Sequence, residues 1–358
     1  MASFDIHQLK EIIWIQTAFI GDIVLNVAAC EWLRQRYPHL RQHLITTSVG
    51  AEALEGLSTF ASITVFEKRK KSAWAAMRAV KTQILPQISG QHDRTVILQP
   101  HRSARSSLLA RYLGFPTITY RETWLGFLAT KRIDRNRSRH ETERDAQLLE
   151  ALGINLSEFK VPRPFMEPSS PSSSLSPMIQ RESGLSYIGV ATGSVWATKR
   201  WPREGYAELI DALLAQSPVR RVVLLGGKTE AEDAEFISQR IAPENRLRLI
   251  NLVAKTSLSD LRAIYPILDL LVSNDSSPVQ YASAFNVPTV AIFGPTVPEF
   301  GFGPLADHSR VVEKRLDCRP CSDHGPMKCP LGHFHCMRMI RPQEVLAACE
   351  STMQEIGA

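Results

Sequence analysis

The chain has 358 residues, 44% of them hydrophobic and 22% charged, an ordinary globular balance with length for two domains of about 150 residues each. No run approaches the ~18 consecutive apolar residues of a membrane span, and the opening MASFDIHQLKEIIWIQ carries Asp5 and Glu11 and lacks a secretory layout, so a cytoplasmic location is expected. The net charge of +6 is uneven: residues 1–165 hold 23 Lys and Arg against 15 Asp and Glu (+8), and the remainder 19 against 21 (−2). That skew suggests an anionic partner for the first half, though a solvated basic face gives the same count.

Apolar runs bounded by turn residues alternate with amphipathic stretches. EIIWIQ (11–16) reads as a strand, followed by a loop and the helix IVLNVAACEWLRQRYP, which stops before Pro38. HLITTS, SITVF and TVILQ read as further strands. Residues 162–180, PRPFMEPSSPSSSLSPMIQ, are too rich in Pro and Ser for a packed element and read as a linker. The alternation then restarts: YIGVAT, RRVVLLGG, LRLINL, DLLVSN and TVAIF are strands. EGYAELIDALLAQ, TEAEDAEFISQRIA, SLSDLRAIYPIL and PVQYASAFN are the helices between them. Strand–helix alternation predicts parallel sheets covered on both faces. The expected division is an N-terminal domain over 1–165, a linker over 166–180 and a C-terminal domain over 181–358. A cleft between the two domains would be lined by strand C-terminal ends, where open α/β sheets bind ligands.

Two junctions in the second half aim donors at one place. VSNDSSPVQYASAFN passes from strand to helix through Asp275, Ser276 and Ser277, with Pro278 expected at the first helical position and Ser276 or Ser277 as the cap. A helix start of this kind suits a phosphate, and by itself it is equally a well-capped helix. ATGSVWATKRWPREGYAELI repeats the layout with Ser194, Thr198, Lys199 and Arg200 in the loop. A lysine beside a helix N-terminus is a natural partner for a diphosphate. No G-x-G-x-x-G occurs, and Gly227-Lys228-Thr229 has Val222 where a full G-x-x-x-x-G-K-[ST] needs glycine, so no motif supports a dehydrogenase or a P-loop ATPase. Glu230 and Glu232 follow LLGGK; a solvated helix start is the preferred reading of both, one could meet a ribose, and Glu232 is the donor-binding candidate.

Six cysteines in a chain this long do not form a secreted disulfide framework. Cys318, Cys321, Cys329 and Cys336 read C-x2-C-x7-C-x6-C within a loop over 318–336, with His324, His333 and His335 interspersed. The spacing suggests a structural zinc, four reduced thiols packing as small apolar groups, or a redox-sensitive loop. Cys30 and Cys349 lie in apolar helices and read as core.

The segments ATGSVWATKRWP, NLVAKTSLSDL, VSNDSSPVQYASAFNVPTVAIFGPT and CRPCSDHGPMKCPLGHFHCM resemble, in order and spacing, the C-terminal half of the ADP-heptose:lipopolysaccharide heptosyltransferases of glycosyltransferase family 9, on the side of heptosyltransferase II. IQTAFIGDIVLNVAACEWLRQRYP resembles the family's opening, and RHETERDAQLLEALG its helix before the linker. The resemblance implies a GT-B fold, two Rossmann-like domains facing across a cleft, with the nucleotide sugar held by the second. It implies an inverting transfer of heptose from ADP-heptose to the lipopolysaccharide inner core that requires no metal. Asp22 would be the catalytic base. Lys199 would be the cation for the leaving diphosphate, with Ser194, Thr198, Ser276 and Ser277 as further donors and Asp275 on a sugar hydroxyl. The basic first half would hold the anionic acceptor, with Arg102 and Arg105 foremost because they follow the strand TVILQ. EKRKK (67–71) and KRIDRNRSRH (131–140) are further candidates. Trp74, Trp124 and Phe127 are expected mainly in the core, with contact to a lipid-bearing acceptor at the inner membrane surface as the functional option. The family has Gly at Ser277 and His at Gln280, and loss of that histidine removes a donor near the sugar or phosphate. Another nucleotide sugar is the alternative within this fold. The alternative outside it is a zinc-containing nucleic-acid-binding protein, against which the basic residues are dispersed and match no reading motif.

Overall fold

The computed structural model describes residues 4–67, 72–88, 92–160 and 162–357. Lys68, Arg69, Lys70 and Lys71 of the first basic cluster lie outside the described residues. The chain forms two compact units, Met1–Glu167 and Pro168–Ala358.

Unit 1 contains strands β1 (Glu11–Ile15), β2 (Arg41–Thr46), β3 (Ser62–Val65), β4 (Thr95–Gln99), β5 (Thr117–Tyr120) and β6 (Lys131–Ile133). Its helices are α1 (Ile20–Arg36), α2 (Ser48–Ala53), α3 (Ala73–Ile84), α4 (Ala104–Leu113) and α5 (Glu141–Glu150). All six strands are parallel, in the order β3-β2-β1-β4-β5-β6. β1 and β4 are buried along their whole length, as expected of a sheet covered on both faces. Ile13, Ile45, Ile97, Met77, Val80 and Leu109 pack on one side of it.

Unit 2 contains β7 (Ser186–Ala191), β8 (Arg220–Leu225), β9 (Leu249–Asn251), β10 (Leu270–Asn274), β11 (Thr289–Phe293) and β12 (Arg310–Glu313). Its helices are α6 (Arg203–Gln216), α7 (Ala231–Arg240), α8 (Leu261–Ile264), α9 (Ser277–Ala284), α10 (His335–Arg338) and α11 (Pro342–Ile356). The order β12-β11-β10-β7-β8-β9, again all parallel, repeats that of unit 1. Its core joins Ile188, Val190, Val222, Val272 and Ile292 to Tyr206 and Ile210 of α6 and to Met353 of α11.

Each sheet reverses its winding direction between its two central strands. In unit 1 that point lies between β1 and β4, paired from Glu11↔Thr95 to Trp14↔Leu98. In unit 2 it lies between β7 and β10, paired from Ile188↔Leu270 to Ala191↔Ser273. The loops leaving the C-terminal ends of these strands diverge to opposite faces and leave a crevice, the standard ligand position of doubly wound sheets. Asp22 and Arg102 follow β1 and β4; Lys199 and Asp275 follow β7 and β10.

Three details differ from the sequence reading. Residues 257–268 were expected to be helical throughout, but α8 covers four of them, because Pro266 lacks an amide and the chain continues as one 3-10 turn. Pro278 is the second residue of α9, not the first; Ser276 occupies the cap position, yet its side chain makes no cap bond. The Pro/Ser-rich stretch has neither helix nor strand, but Leu175 and Ile179 are buried in it and Ser172 N–H donates to Asp260 Oδ1 at 3.3 Å.

Candidate active site

In unit 1 the chain leaves β1 through Gln16–Phe19 and enters α1. Asp22 is the third residue of this helix, whose cap residue Phe19 offers no side-chain acceptor. A carboxylate there meets the positive end of the helix dipole. Burial, then the Glu141 carboxylate, nevertheless push Asp22 from 3.8 up to about 7, against its backbone hydrogen bond and the opposing pull of Arg135 and Arg102. One turn on, Asn26 Nδ2 donates to Asp145 Oδ2 of α5 at 3.0 Å. Asp145 is 1% exposed, and its Oδ1 has no hydrogen-bond partner. Burial, reinforced by Glu141, holds its carboxyl well above the usual range. Glu141, one turn earlier on α5, accepts from Arg135 Nη2 at 2.6 Å and Arg144 Nη1 at 2.8 Å.

Arg102, in the loop after β4, lies 2.7 Å from Glu122, which also accepts from Arg137 at 2.7 Å. Burial acts upward on Glu122, but these arginines outweigh it and hold the carboxyl below its ordinary value. Arg105 is exposed on the first turn of α4. His101 Nδ1, 2.8 Å from Thr17 Oγ1, ties the β4 loop to the β1 loop, and Thr17 reaches Ser106 at 3.0 Å. None of Trp74, Trp124 and Phe127 is core: they are 69%, 75% and 68% exposed. The expectation of core packing fails because Trp124 and Phe127 sit on the short crossing between β5 and β6. There only the backbone is anchored, through Trp124 N–H to Arg102 O (3.1 Å) and Ser107 Oγ to Trp124 O (2.8 Å).

In unit 2 the two predicted junctions are adjacent. Lys199 Nζ lies 2.5 Å from Asp275 Oδ2, with both side chains nearly buried, and Thr296 Oγ1 donates to the same oxygen at 2.6 Å. Ser276 Oγ donates to Gly193 O at 3.1 Å, so this hydroxyl braces the neighbouring loop instead of capping α9. Ser277 stands at the first position of α9 and is partly exposed. Ser194 is buried and accepts from Trp196 N–H at 3.3 Å. Thr198 Oγ1 donates to Pro326 O in the Cys-rich loop, which turns it away from a ligand role in this arrangement. Gln280, where the family has His, is buried; its Nε2 donates to Phe302 O at 2.9 Å.

Glu232 is 88% exposed and pairs with Arg203 on the helix surface. Glu230 is the acid at the junction: it is buried, accepts from Gly227 N–H at 2.9 Å, and lies so near Gly193 that a Cβ there would sit 2.8 Å from its Cδ. The sequence reading also missed Asn274. This fully buried residue donates to Thr192 O at 2.7 Å and accepts from Trp201 N–H (3.0 Å) and Tyr206 Oη–H (2.9 Å), locking the two junctions together.

Among the described residues no three His, Cys, Asp or Glu side chains are arranged to hold a metal ion. The zinc expectation for Cys318, Cys321, Cys329 and Cys336 is therefore not supported. The loop is held by other contacts. Arg319 donates to Thr296 O (2.7 Å), Cys321 N–H donates to Pro295 O (2.9 Å), and Gly325 approaches the Lys199 side chain so closely that a Cβ would lie 3.2 Å from Cγ. Cys30 and Cys349 are fully buried core residues.

Residues 87–332 match the model of glycosyltransferase family 9 (heptosyltransferase). The chain belongs to glycosyltransferase family 9. It is 31% identical over 180 residues to lipooligosaccharide heptosyltransferase 2 of Campylobacter jejuni, a match covering 50% of this chain and about half (54%) of that relative's length. It is 25% identical over 345 residues to lipopolysaccharide heptosyltransferase 2 of Salmonella typhimurium, covering 93% of this chain and 91% of that one. Its fold matches Escherichia coli ADP-heptose lps heptosyltransferase II with a TM-score of 0.77 at 20% identity, over 97% of this chain and 100% of the other. The family 9 chain thus has the GT-B architecture, two doubly wound α/β domains. Among its described residues no helix is long and apolar enough to cross a membrane.

Proposed function

We propose that this family 9 chain transfers heptose from ADP-heptose to a sugar of the lipopolysaccharide inner core, with inversion at the anomeric carbon. The observation that carries the reading is the paired junction of unit 2, where a nearly buried lysine, a helix N-terminus and a serine-rich turn converge beside the switch point of a parallel sheet. Asp275 neutralises Lys199 in the structure. An arriving diphosphate takes over the lysine and leaves Asp275 to accept a sugar hydroxyl, with Thr296 holding its second bond. Asp22 takes the proton of the acceptor hydroxyl as its oxygen forms the new bond to C1. The bond from C1 to the diphosphate oxygen breaks, and the electron pair leaves with ADP, whose charge Lys199 and the α9 amides stabilise. Glu230 replaces Glu232 as the candidate ribose acceptor.

The acceptor reading draws on residues 101–140, which hold nine Lys and Arg against two Asp and Glu, nearly all of the first half's excess. Exposed Trp124 and Phe127 lie in the same stretch, a combination suited to an anionic glycolipid at the cytoplasmic face of the inner membrane. Incubating the protein with ADP-heptose and heptose-acceptor core oligosaccharide, and following product by mass spectrometry, tests the transfer. A thermal shift with ADP-heptose tests the donor site independently, since ligand at 100-fold its Kd adds about 2.7 kcal/mol of stability. No shift with ADP-heptose and a shift with another nucleotide sugar would redirect the assignment within the fold.

A further inference from the structure

Three carboxyls meet where α1 packs on α5. Asp22 and Asn26 are one turn apart on α1; Glu141 and Asp145 are one turn apart on α5, and the 3.0 Å bond from Asn26 to Asp145 joins the helices. Glu141 and Asp145 are 8% and 1% exposed. Two arginines serve this group, and both bind Glu141: Arg135 at 2.6 Å and Arg144 at 2.8 Å. Arg135 also reaches Glu122, at 3.5 Å. Arg144 is in turn fixed by its bond to Arg137 O and by Tyr120 Oη–H, which donates to its carbonyl. Asp145 receives an amide, and its other oxygen is buried without a partner. Burial holds a carboxyl so placed well above its usual range.

We propose that Glu141 is a positioning residue for the transfer: clamped by Arg135 and Arg144 at the α1–α5 interface, it makes Asp22 a stronger base, and Arg135 limits the effect. This inference rests on the reading of Asp22 as the base. The charged groups set against Asp22 are Glu141 and Arg135 from the start of α5 and its approach, Arg102 from the β4 loop, and Asp145 from α5. α2 and β2 also pack on α1 and contribute Glu52, and Arg41 and His43, respectively; His43 is committed to Glu11 at 2.8 Å. A carboxylate with an ordinary proton affinity is a poor acceptor for a hydroxyl proton. One raised toward neutrality is matched to the task, at the cost of activity on the acid side.

The test is the acid limb of the kcat/KM–pH profile with ADP-heptose and core acceptor. Glu141→Gln removes a negative charge and moves the limb to lower pH; a displacement of one pH unit leaves the variant with about fivefold more of its plateau rate at pH 6 than the wild type. Arg135→Gln removes a positive charge and moves the limb the other way, so that about fivefold less of the plateau remains at pH 7 for the same displacement. Glu141→Asp keeps the charge and keeps the limb. Loss of a merely structural ion pair would shift both glutamine variants in the same direction, or neither, and that outcome overturns the proposal. If Arg135→Gln fails to fold, as judged by its melting curve, Glu141→Gln against Glu141→Asp decides: identical limbs refute the proposal. Asp22→Asn separates the two claims. Retained transfer removes Asp22 from the mechanism, whereas lost transfer with unmoved limbs in the Glu141 variants leaves Asp22 as the base and discards the role of Glu141.

Discussion

Replacing Asp22 by Asn should abolish transfer and, above neutrality, make the protein more stable. Burial and the Glu141 carboxylate raise this side chain from 3.8 to about 7 in the folded chain. Between those values the folded state binds more protons than the unfolded state, so stability falls as pH rises through the window, and the loss is complete above pH 7. At ~1.36 kcal/mol for each pH unit, the full difference corresponds to about 4 kcal/mol. Asp22 is only partly buried, and solvent screening brings the expected gain for Asp22→Asn to about 1–2 kcal/mol at pH 8. In a domain of this size 1 kcal/mol moves Tm by about 2–4 °C. Scanning calorimetry of the two proteins should show a gap that opens from about pH 4, widens to several degrees and levels off above pH 7. Transfer by the variant should fall by a factor of about 10²–10⁴, the usual worth of a general base. A gap that does not change with pH, or a variant less stable than the wild type at pH 8, would refute the argument.

Lys199→Met removes the cation from a nearly buried pair and leaves Asp275 with Thr296 alone; donor-induced thermal stabilisation should disappear, and denaturant titration should show a loss of about 3 kcal/mol. Gly193→Ala forces a methyl against the anchored Glu230; a loss of about 1–3 kcal/mol in the same titration, with a weakened ADP-heptose thermal shift, is expected. Trp124→Ser with Phe127→Ser removes two exposed rings, so Tm should hold while co-sedimentation with anionic phospholipid vesicles drops; unchanged sedimentation would remove this face from membrane contact.

The central strands were legible because a strand buried on both faces is a continuous apolar run, as in EIIWI and TVAIF. Two of the four margin strands were not: KRI of β6 and RVVE of β12 are short and half-exposed, which protects a sheet edge and also hides it, whereas β3 and β9 at the opposite margins were read from SITVF and LRLINL. β5, TITY, is buried but only four residues long. Lys199 and Asp275 were found because strand-to-helix junctions with small polar residues carry a local signature. Choosing between Glu230 and Glu232 was beyond the sequence, since both begin a helix and only the chain's path shows which one turns under Gly193. The Asn26–Asp145 link joins residues 119 positions apart and has no local pattern.

The repeated strand order has a consequence for how the molecule is made. Thr17 and His101 are 84 positions apart, Thr192 and Asn274 are 82, and Gly193 and Ser276 are 83. Each crevice is thus stitched from segments that meet only after the fourth strand of its sheet has docked beside the first, a long loop whose closure entropy must be met before the contacts reward it. During synthesis, the proposed diphosphate grip of unit 2 is not assembled until residue 276 has emerged and β10 has docked beside β7. A chain cut short of that point would carry Lys199 without its Asp275 partner.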